Sequence, residues 1–194
     1  LHKAIRRQRQ MCIRDSTRID AFAETIGAGA NQIKKSENIH YIAGVDSGST
    51  STDAVILDRE KKIVSSVILP TGAGAASGAE KALAAALESA GLKREDLDAV
   101  VTTGYGRETV GLSDASATEI TCHAKGAHYL FSDARTVIDI GGQDSKVIRL
   151  SESGAVETFA MNDKCAAGTG RFLEMMARTL ELDMEEMSRR GLTW

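Results

Sequence analysis

The stretch that decides the fold is VDSGSTSTDAVIL, residues 45–57, together with its counterpart IDIGGQDSKVIRL, residues 138–150. A shift of 93 positions aligns the two segments without a gap (138 − 45 = 93) and places Asp46 on Asp139. Each copy reads as a strand, a glycine-containing hairpin, a second strand, a turn and a third strand. The repeat therefore predicts a duplication, with two related lobes that each present a glycine hairpin to one shared ligand.

The two hairpins carry the residue types that bind a polyphosphate. Glycine lets backbone N–H groups approach phosphate oxygens, short hydroxyls add donors, and carboxylates such as Asp144 hold a divalent metal. We expect Mg²⁺ between Asp46 and Asp139, with Gln143 orienting the attacking water. Either hairpin alone is better interpreted as a structural turn, so the prediction depends on the pair. The predicted phosphate-binding residues of the hairpins are Gly48, Ser49, Thr50, Ser51, Gly141 and Gly142.

A lone cysteine, Cys165, precedes a predicted helix in the stretch NDKCAAGTGRF, residues 162–172. A helix N-terminus favours the thiolate form, which suits a nucleophile or a metal ligand, whereas a free cysteine is more often a small buried hydrophobe. One thiol is insufficient for mononuclear zinc, and a ligand shared across a twofold axis stays open. Cys122 and His123 fall in another predicted helix and are interpreted as packing or helix-surface residues.

Composition excludes several classes of function. Six of the 24 Lys and Arg residues lie within residues 1–18, so the rest of the chain is acidic and does not suggest nucleic-acid binding. No apolar run is long enough to predict a signal peptide or a membrane span. The three cysteines are widely spaced and form no disulfide framework, which favours a reduced, cytoplasmic protein.

The pattern predicts three regions. Residues 1–40 are an N-terminal extension and linker, of which 1–16 resemble a translated sequencing adaptor and 17–26 form a short helix. Residues 41–135 are a first lobe, and 136–194 begin a second lobe. Helices are predicted over 77–90 with Ser77 as N-cap, after a capping box at 116–119, over about 168–180, and after a capping box at 183–186.

With these residues assembled, the chain resembles the ATP-dependent activators of 2-hydroxyacyl-CoA dehydratases, a family that includes the ATP-binding subunits of benzoyl-CoA reductase. The resemblance runs from about Ile42 to Gly191 and rests on GVDSGSTSTDAVIL, TTGYGR, EITCHAKGA, VIDIGGQDSKVI and MNDKCAAGTGRFLEMMA. It implies an α/β, actin-like ATPase of two lobes built on ribonuclease H-like mixed sheets, with ATP in the cleft. It adds these residues to the nucleotide site: Gly104, Tyr105, Gly106, Arg107, Gly168, Thr169 and Gly170.

The resemblance also implies an electron-transfer function. Members work as homodimers that hold one [4Fe–4S] cluster at the interface, with two cysteines from each subunit, and Cys165 matches the first of these. ATP hydrolysis moves the lobes, and an electron received from a donor such as ferredoxin or flavodoxin passes to the dehydratase. The second cysteine is expected after the matched region, so we expect a complete first lobe and a truncated second one. Residues 17–26 are similar to the closing helix of a dehydratase subunit, which suggests a fusion.

Other functions stay open at this point. Within the family, the chain could instead be an ATP-binding subunit of a benzoyl-CoA reductase. An actin-like sugar or acyl kinase would use the same hairpins but would leave Cys165 without a role. A nucleotide-sensing or assembly module would bind ATP without holding a cluster.

Overall fold

The computed structural model describes residues 40–109, 111, 113–163, 165 and 167–192. The predicted extension, the helix over 17–26 and nearly all of the linker lie outside the described residues.

The first sheet has five strands in the order β3-β2-β1-β4-β5. Strands β1 (Tyr41–Ser47), β2 (Ser51–Asp58) and β3 (Ile63–Pro70) form an antiparallel meander. Strands β4 (Ala99–Thr103) and β5 (Ala115–Ser116) extend the sheet in parallel to β1. β1 and β4 are almost entirely buried, as the continuous apolar runs predict for strands covered on both faces.

Helix α1 (Ala75–Ala90) covers one face of this sheet and buries Ala79, Ala82, Leu83 and Ala86 against it. Small side chains let the helix approach β1 and β2 closely. The predicted N-cap, Ser77, was wrong, because the helix begins two residues earlier and Gly74 is its N-cap. Alanine is the strongest helix former, so Ala75 and Ala76 continue the helix past the serine. Gly91, predicted to follow the helix, is its left-handed C-cap at φ 66°.

The second sheet contains β6 (Thr136–Ile140), β7 (Ser145–Leu150) and β8 (Val156–Asn162) in antiparallel order. Helix α2 (Glu119–Leu130) packs on one face of it. Helices α3 (Gly170–Thr179) and α4 (Met184–Gly191) follow. The core between α2 and the sheet consists of Ala124, Ala127, Val137, Ile148 and Leu150.

The two predicted repeats share their fine structure. The Gly48 N–H donates to the Ser51 carbonyl at 3.1 Å, and the Gly141 N–H donates to the Asp144 carbonyl at 2.8 Å. The strand register shifts after Ile56 in the first copy and after Arg149, its equivalent, in the second. Matching turns and matching irregularities confirm that both segments are strand–hairpin–strand–turn–strand units. The division of the chain at 135/136 stays a prediction.

Two further predicted helix starts also change. The capping box at 116–119 was wrong, because Ser116 pairs in β5 and Thr118 is the N-cap, accepting from the Thr121 N–H at 3.2 Å. Helix α3 begins at Gly170, since Gly168 adopts φ +80° and ends the preceding turn. At α4 the predicted cap is confirmed, as Asp183 accepts from the Glu186 N–H at 2.7 Å.

Within the described part of the chain, no helix combines the length and the apolar character that a membrane crossing requires. The cytoplasmic location inferred from the sequence stays a prediction.

Candidate functional site

The two glycine hairpins face each other across a cleft of about 250 Å³. A Cβ placed on Gly142 would lie 3.5 Å from Thr50 Oγ1, so the hairpins approach within van der Waals contact at one end of it. The structure thus brings together most of the residues predicted to bind nucleotide. Those that line the cleft are Asp46, Gly48, Ser49, Thr50, Ser51, Gly104, Tyr105, Gly141, Gly142, Gln143, Asp144 and Gly170.

The other predicted residues lie outside the cleft lining. Gly106 packs behind the first hairpin, where an added Cβ would meet the Ser47 side chain and lie 2.5 Å from Ala75 Cβ. Arg107 donates to the Gly104 carbonyl at 3.3 Å and supports that turn from outside. Thr169 is fully buried under the N-terminus of α3. The predicted residues outside the lining are Asp139, Cys165, Gly106, Arg107, Gly168 and Thr169.

Several residues that line the cleft were not predicted from the sequence. Asp53 could have been found, because strand alternation places it opposite Asp46 in the predicted hairpin. The side chains of α2, α3 and α4 carry no local signal, since only tertiary packing brings them to the cleft. The missed residues are Asp53, Glu119, Ile140, Arg171, Leu173, Glu174 and Met184.

Two carboxylates face each other in the first hairpin. Asp46 and Asp53 are direct partners across β1 and β2, and both are buried at the edge of the cleft. Directly opposed side chains in an antiparallel pair have Cβ atoms about 4.5–5.5 Å apart, so like charges there repel. A divalent cation relieves this repulsion, and oxygen ligands are those that Mg²⁺ prefers.

The second hairpin carries a lysine at the equivalent position. Lys146 is the partner of Asp139 across β6 and β7, and its side chain is 1% exposed. Its Nζ lies 2.8 Å from Asp144 Oδ1, 3.0 Å from Glu119 Oε1 and 3.5 Å from Asp139 Oδ2. Burial by itself would lower the pKa of Lys146, but the carboxylates, Asp144 first, outweigh it and raise the pKa above its ordinary value.

His123 lies against the same group. Its Nδ1 is 3.5 Å from Asp139 Oδ2, and the ligand atoms of Glu119, His123 and Asp139 lie within 4.8 Å of one another. Such a set could hold a metal ion, but Lys146 Nζ contacts both carboxylates of the set. The cluster therefore already contains its cation. Asp139 is engaged there behind the cleft lining, and its predicted contact with Mg²⁺ stays a prediction.

The second hairpin is bound directly to helix α3. The Gly170 N–H donates to the Gly141 carbonyl, and the Arg171 N–H donates to the Gly142 carbonyl, each at 2.9 Å. The first N–H groups of a helix have no partner within it, so these two bonds satisfy them. As a result, the glycine turn and the start of α3 form one connected unit.

Comparison with known proteins identifies the family. Residues 43–193 match the BadF/BadG/BcrA/BcrD ATPase family. The chain belongs to this family. A relative in Anaerotignum propionicum, the activator of lactoyl-CoA dehydratase, is 53% identical over 148 residues, which are 76% of this chain and 57% of the relative. The chain thus spans less than two thirds of that relative's length.

Two solved structures are similar to this member of the BadF/BadG/BcrA/BcrD family. The component A of (R)-2-hydroxyglutaryl-CoA dehydratase from Acidaminococcus fermentans has a TM-score of 0.75 and 42% identity, over 80% of this chain and 60% of that one. The activator of 2-hydroxyisocaproyl-CoA dehydratase from Clostridium difficile, with bound ADPNP, has a TM-score of 0.70 and 44% identity. The match covers 75% of this chain and 54% of that one. The predicted actin-like α/β fold is confirmed, and the chain covers part of it.

The two described cysteines of this family member differ in accessibility. Cys165 is exposed on the segment between β8 and α3. Cys122 is buried beside Val101 and Ala117, and burial raises its pKa to about 12. A buried thiol with a raised pKa is a poor ligand and a poor nucleophile. Of the two roles predicted for Cys122, packing or helix surface, its burial favours packing.

The helix that follows Cys165 begins later than the sequence predicts. The sequence predicted a helix that begins about three residues after it, whereas α3 begins five residues after it at Gly170. The first two N–H groups of that helix are used by the glycine turn. The helix dipole acts mainly within the first turn, so exposure rather than the dipole supports a ligand role for Cys165.

Gly104 allows us to test how tightly the TTGYGR turn must approach the first hairpin. It has φ +85°, and an added Cβ would meet Asp46 Oδ1 and lie 2.6 Å from the Ser47 carbonyl oxygen. We expect Gly104→Ala to lower the free energy of unfolding by about 2–4 kcal/mol, from left-handed strain and overpacking combined. Urea unfolding measures this. Gly111→Ala is the matched control, because Gly111 has open space around it; an equal loss in both variants would contradict the expectation.

Proposed function

We propose that this chain is the nucleotide-binding part of an ATP-hydrolysing activator that delivers a low-potential electron to a 2-hydroxyacyl-CoA dehydratase. The observation that carries the proposal is the pair of glycine hairpins facing one cleft, with the second hairpin hydrogen-bonded to α3. Family membership supports ATP as the nucleotide. The dehydratase partner is supported by relatives named as dehydratase activators.

The charge of the cleft supports Mg·ATP rather than bare ATP. Acidic side chains outnumber the one basic side chain in the described lining, so an uncomplexed polyphosphate is disfavoured there. Mg²⁺ bound with the nucleotide reverses this, and we assign Asp46 and Asp53 to hold it, since two opposed carboxylates at the cleft are suitable ligands for a divalent cation. The acidic lining residues are Asp46, Asp53, Glu119, Asp144 and Glu174.

The hairpins position the reacting groups for hydrolysis. The Gly48 and Gly141 N–H groups close their own turns, so phosphate contacts fall to the residues that follow, including Thr50 and Gly142. Gln143 lies on the same turn and is assigned to orient the water that attacks the terminal phosphate. Phosphoryl transfer needs mainly positioning and charge stabilisation, which such turns supply.

The hydrogen bonds between the second hairpin and α3 give a route from nucleotide to cysteine. A shift of the Gly141–Gly142 turn between ATP and ADP states moves the N-terminus of α3 with it, because two hydrogen bonds join them. The segment that holds Cys165 enters the same helix and would move too. In this way hydrolysis in the cleft is coupled to the position of the thiol.

We assign Cys165 as a ligand of a [4Fe–4S] cluster shared across a homodimer. When bound, such a cluster supplies one-electron transfer at low potential, and it requires four ligands. Among the described residues, Cys165 offers the accessible thiol and Cys122 does not. Two copies of the chain would supply two Cys165 ligands, and the other two must come from residues outside those described. Ferredoxin or flavodoxin is the proposed electron donor.

The test separates the cluster from the nucleotide site. The full-length protein from the native gene is purified without oxygen as wild type, Cys165→Ala and Cys122→Ala. We expect Cys165→Ala to lose its iron, sulfide and visible absorption while ATP affinity stays nearly unchanged, because the cysteine lies outside the cleft lining. Cys122→Ala should keep the cluster.

Each other result has a clear meaning. Iron retained by Cys165→Ala would refute the ligand assignment. A wild type that binds ATP but holds no iron would favour a nucleotide-sensing module. Loss of ATP binding together with the cluster would show that Cys165 supports the fold.

A further inference from the structure

Arg171 stands where the two glycine hairpins meet. It is the second residue of α3, and its N–H donates to the Gly142 carbonyl at 2.9 Å. Gly142 in turn approaches Thr50 of the first hairpin, with 3.5 Å between an added Cβ and Thr50 Oγ1. The Arg171 side chain is exposed and lines the cleft. The Arg171 side chain therefore starts beside both phosphate-binding turns.

Arg171 is the one cationic side chain among the described residues that line the cleft. Lys146 is near but is 1% exposed, and its Nζ contacts Asp144, Glu119 and Asp139. Arg107 is engaged with Glu108 and the Gly104 carbonyl. Among the described residues, Arg171 is therefore the cation best placed to contact a polyphosphate bound in the cleft.

The chemistry of guanidinium fits the terminal phosphate. Its planar fork donates two parallel hydrogen bonds to a phosphoryl group, which an ammonium cannot do. Mg²⁺ neutralises part of the charge of a triphosphate, and the remainder lies on the terminal oxygens, where charge spreads further during transfer. An arginine on a long, exposed side chain can follow that charge.

We propose that the Arg171 guanidinium binds the terminal phosphate of the nucleotide. This contact would let the protein distinguish a nucleoside triphosphate from a diphosphate and would favour hydrolysis of the triphosphate. This rests on the proposed function, since it assumes that the cleft binds ATP. The same residue then senses the phosphate with its side chain and holds the Gly142 turn with its backbone N–H. Loss of the terminal phosphate removes the partner of the guanidinium at the N-terminus of α3.

The test compares Arg171→Gln and Arg171→Lys with Arg178→Gln in the full-length protein. Arg178 is exposed on the same helix and is not among the residues that line the cleft, so it is the matched control. Calorimetry measures the affinities for Mg·ADPNP and Mg·ADP, and single-turnover assays measure hydrolysis.

We expect Arg171→Gln to weaken ADPNP binding by about 10–100-fold, the range of a charge-assisted pair, and to leave ADP binding nearly unchanged. Hydrolysis should fall by about 10²–10³-fold. Arg171→Lys should recover part of the ADPNP affinity but little of the rate, because lysine is a point charge.

Two results would overturn the inference alone. Equal weakening of ADP and ADPNP in Arg171→Gln would mean that the arginine does not read the terminal phosphate. An unchanged ADPNP to ADP affinity ratio and rate would mean that it does not act in the cleft. A wild type that binds neither nucleotide would instead refute the proposed function, and the inference with it.

Discussion

Replacing Asp46 by asparagine is expected to lower the rate of ATP hydrolysis by about 10²–10³-fold, the range for removing one preorganised charge contact. Asp46→Asn keeps the shape of the side chain and removes a charge that faces Asp53 across the hairpin. Because the two carboxylates repel, the free energy of unfolding should fall little or rise. Loss of activity without loss of stability is the signature of a metal-holding residue.

Steady-state hydrolysis across a Mg²⁺ titration measures the effect, with urea unfolding of the same preparations. Glu80→Gln, on the exposed side of α1, is the control for removing one acid and should behave as wild type. If Asp46→Asn lost several kcal/mol of stability together with activity, the carboxylate would be a structural hydrogen-bond acceptor. The Mg²⁺ assignment would then be withdrawn.

Replacing Lys146 by methionine should lower the free energy of unfolding by about 3–5 kcal/mol, the cost of breaking a buried ion pair from one side. Methionine matches the lysine stem in length but leaves Asp139, Asp144 and Glu119 without their shared cation. Lys81→Met, on the exposed face of α1, is the matched control. Urea unfolding at neutral pH measures both.

The pH dependence follows from the direction of the Lys146 shift. Its pKa is raised in the folded state from the ordinary 10.5, so its contribution is fully present below that value and is lost as pH rises through the higher folded pKa. The difference in the free energy of unfolding between wild type and Lys146→Met should therefore stay constant near neutral pH and decrease in strong alkali. A gap below about 1 kcal/mol at neutral pH, the size of an ordinary substitution, would show that the carboxylates do not depend on the lysine.

The hairpins could be predicted because their signals are local. Continuous apolar runs in the first copy and alternating ones in the second predict the strands, glycines predict the turns, and the repeat pairs one hairpin with the other. Asp46 and Gln143 were placed in the cleft by that reasoning, and the structure lines the cleft with them. Their catalytic roles stay predictions until the variants are measured.

What could not be predicted depends on packing between distant segments. Arg171 reaches the cleft because its N–H and that of Gly170 donate to carbonyls about thirty residues earlier in the chain. The periodicity of the sequence does not predict hydrogen bonds between such distant segments. Glu119 and Lys146 meet through the docking of α2 on β7, so the sequence showed a lysine on a strand and not a buried ion cluster. The predicted helix starts at Ser77 and Ser116 were wrong because capping residues are common in sequences, and the observed N-caps are Gly74 and Thr118.

The equivalent positions of Asp53 and Lys146 have a consequence for how a ligand lies in the cleft. Two identical halves would bind an asymmetric ligand equally well in either of two orientations. Here the first hairpin carries two opposed acids that line the cleft, whereas the second carries an acid paired with a lysine behind the cleft lining. We propose that this difference in charge orients a bound Mg·nucleotide, with the metal beside Asp46 and Asp53, which line the cleft.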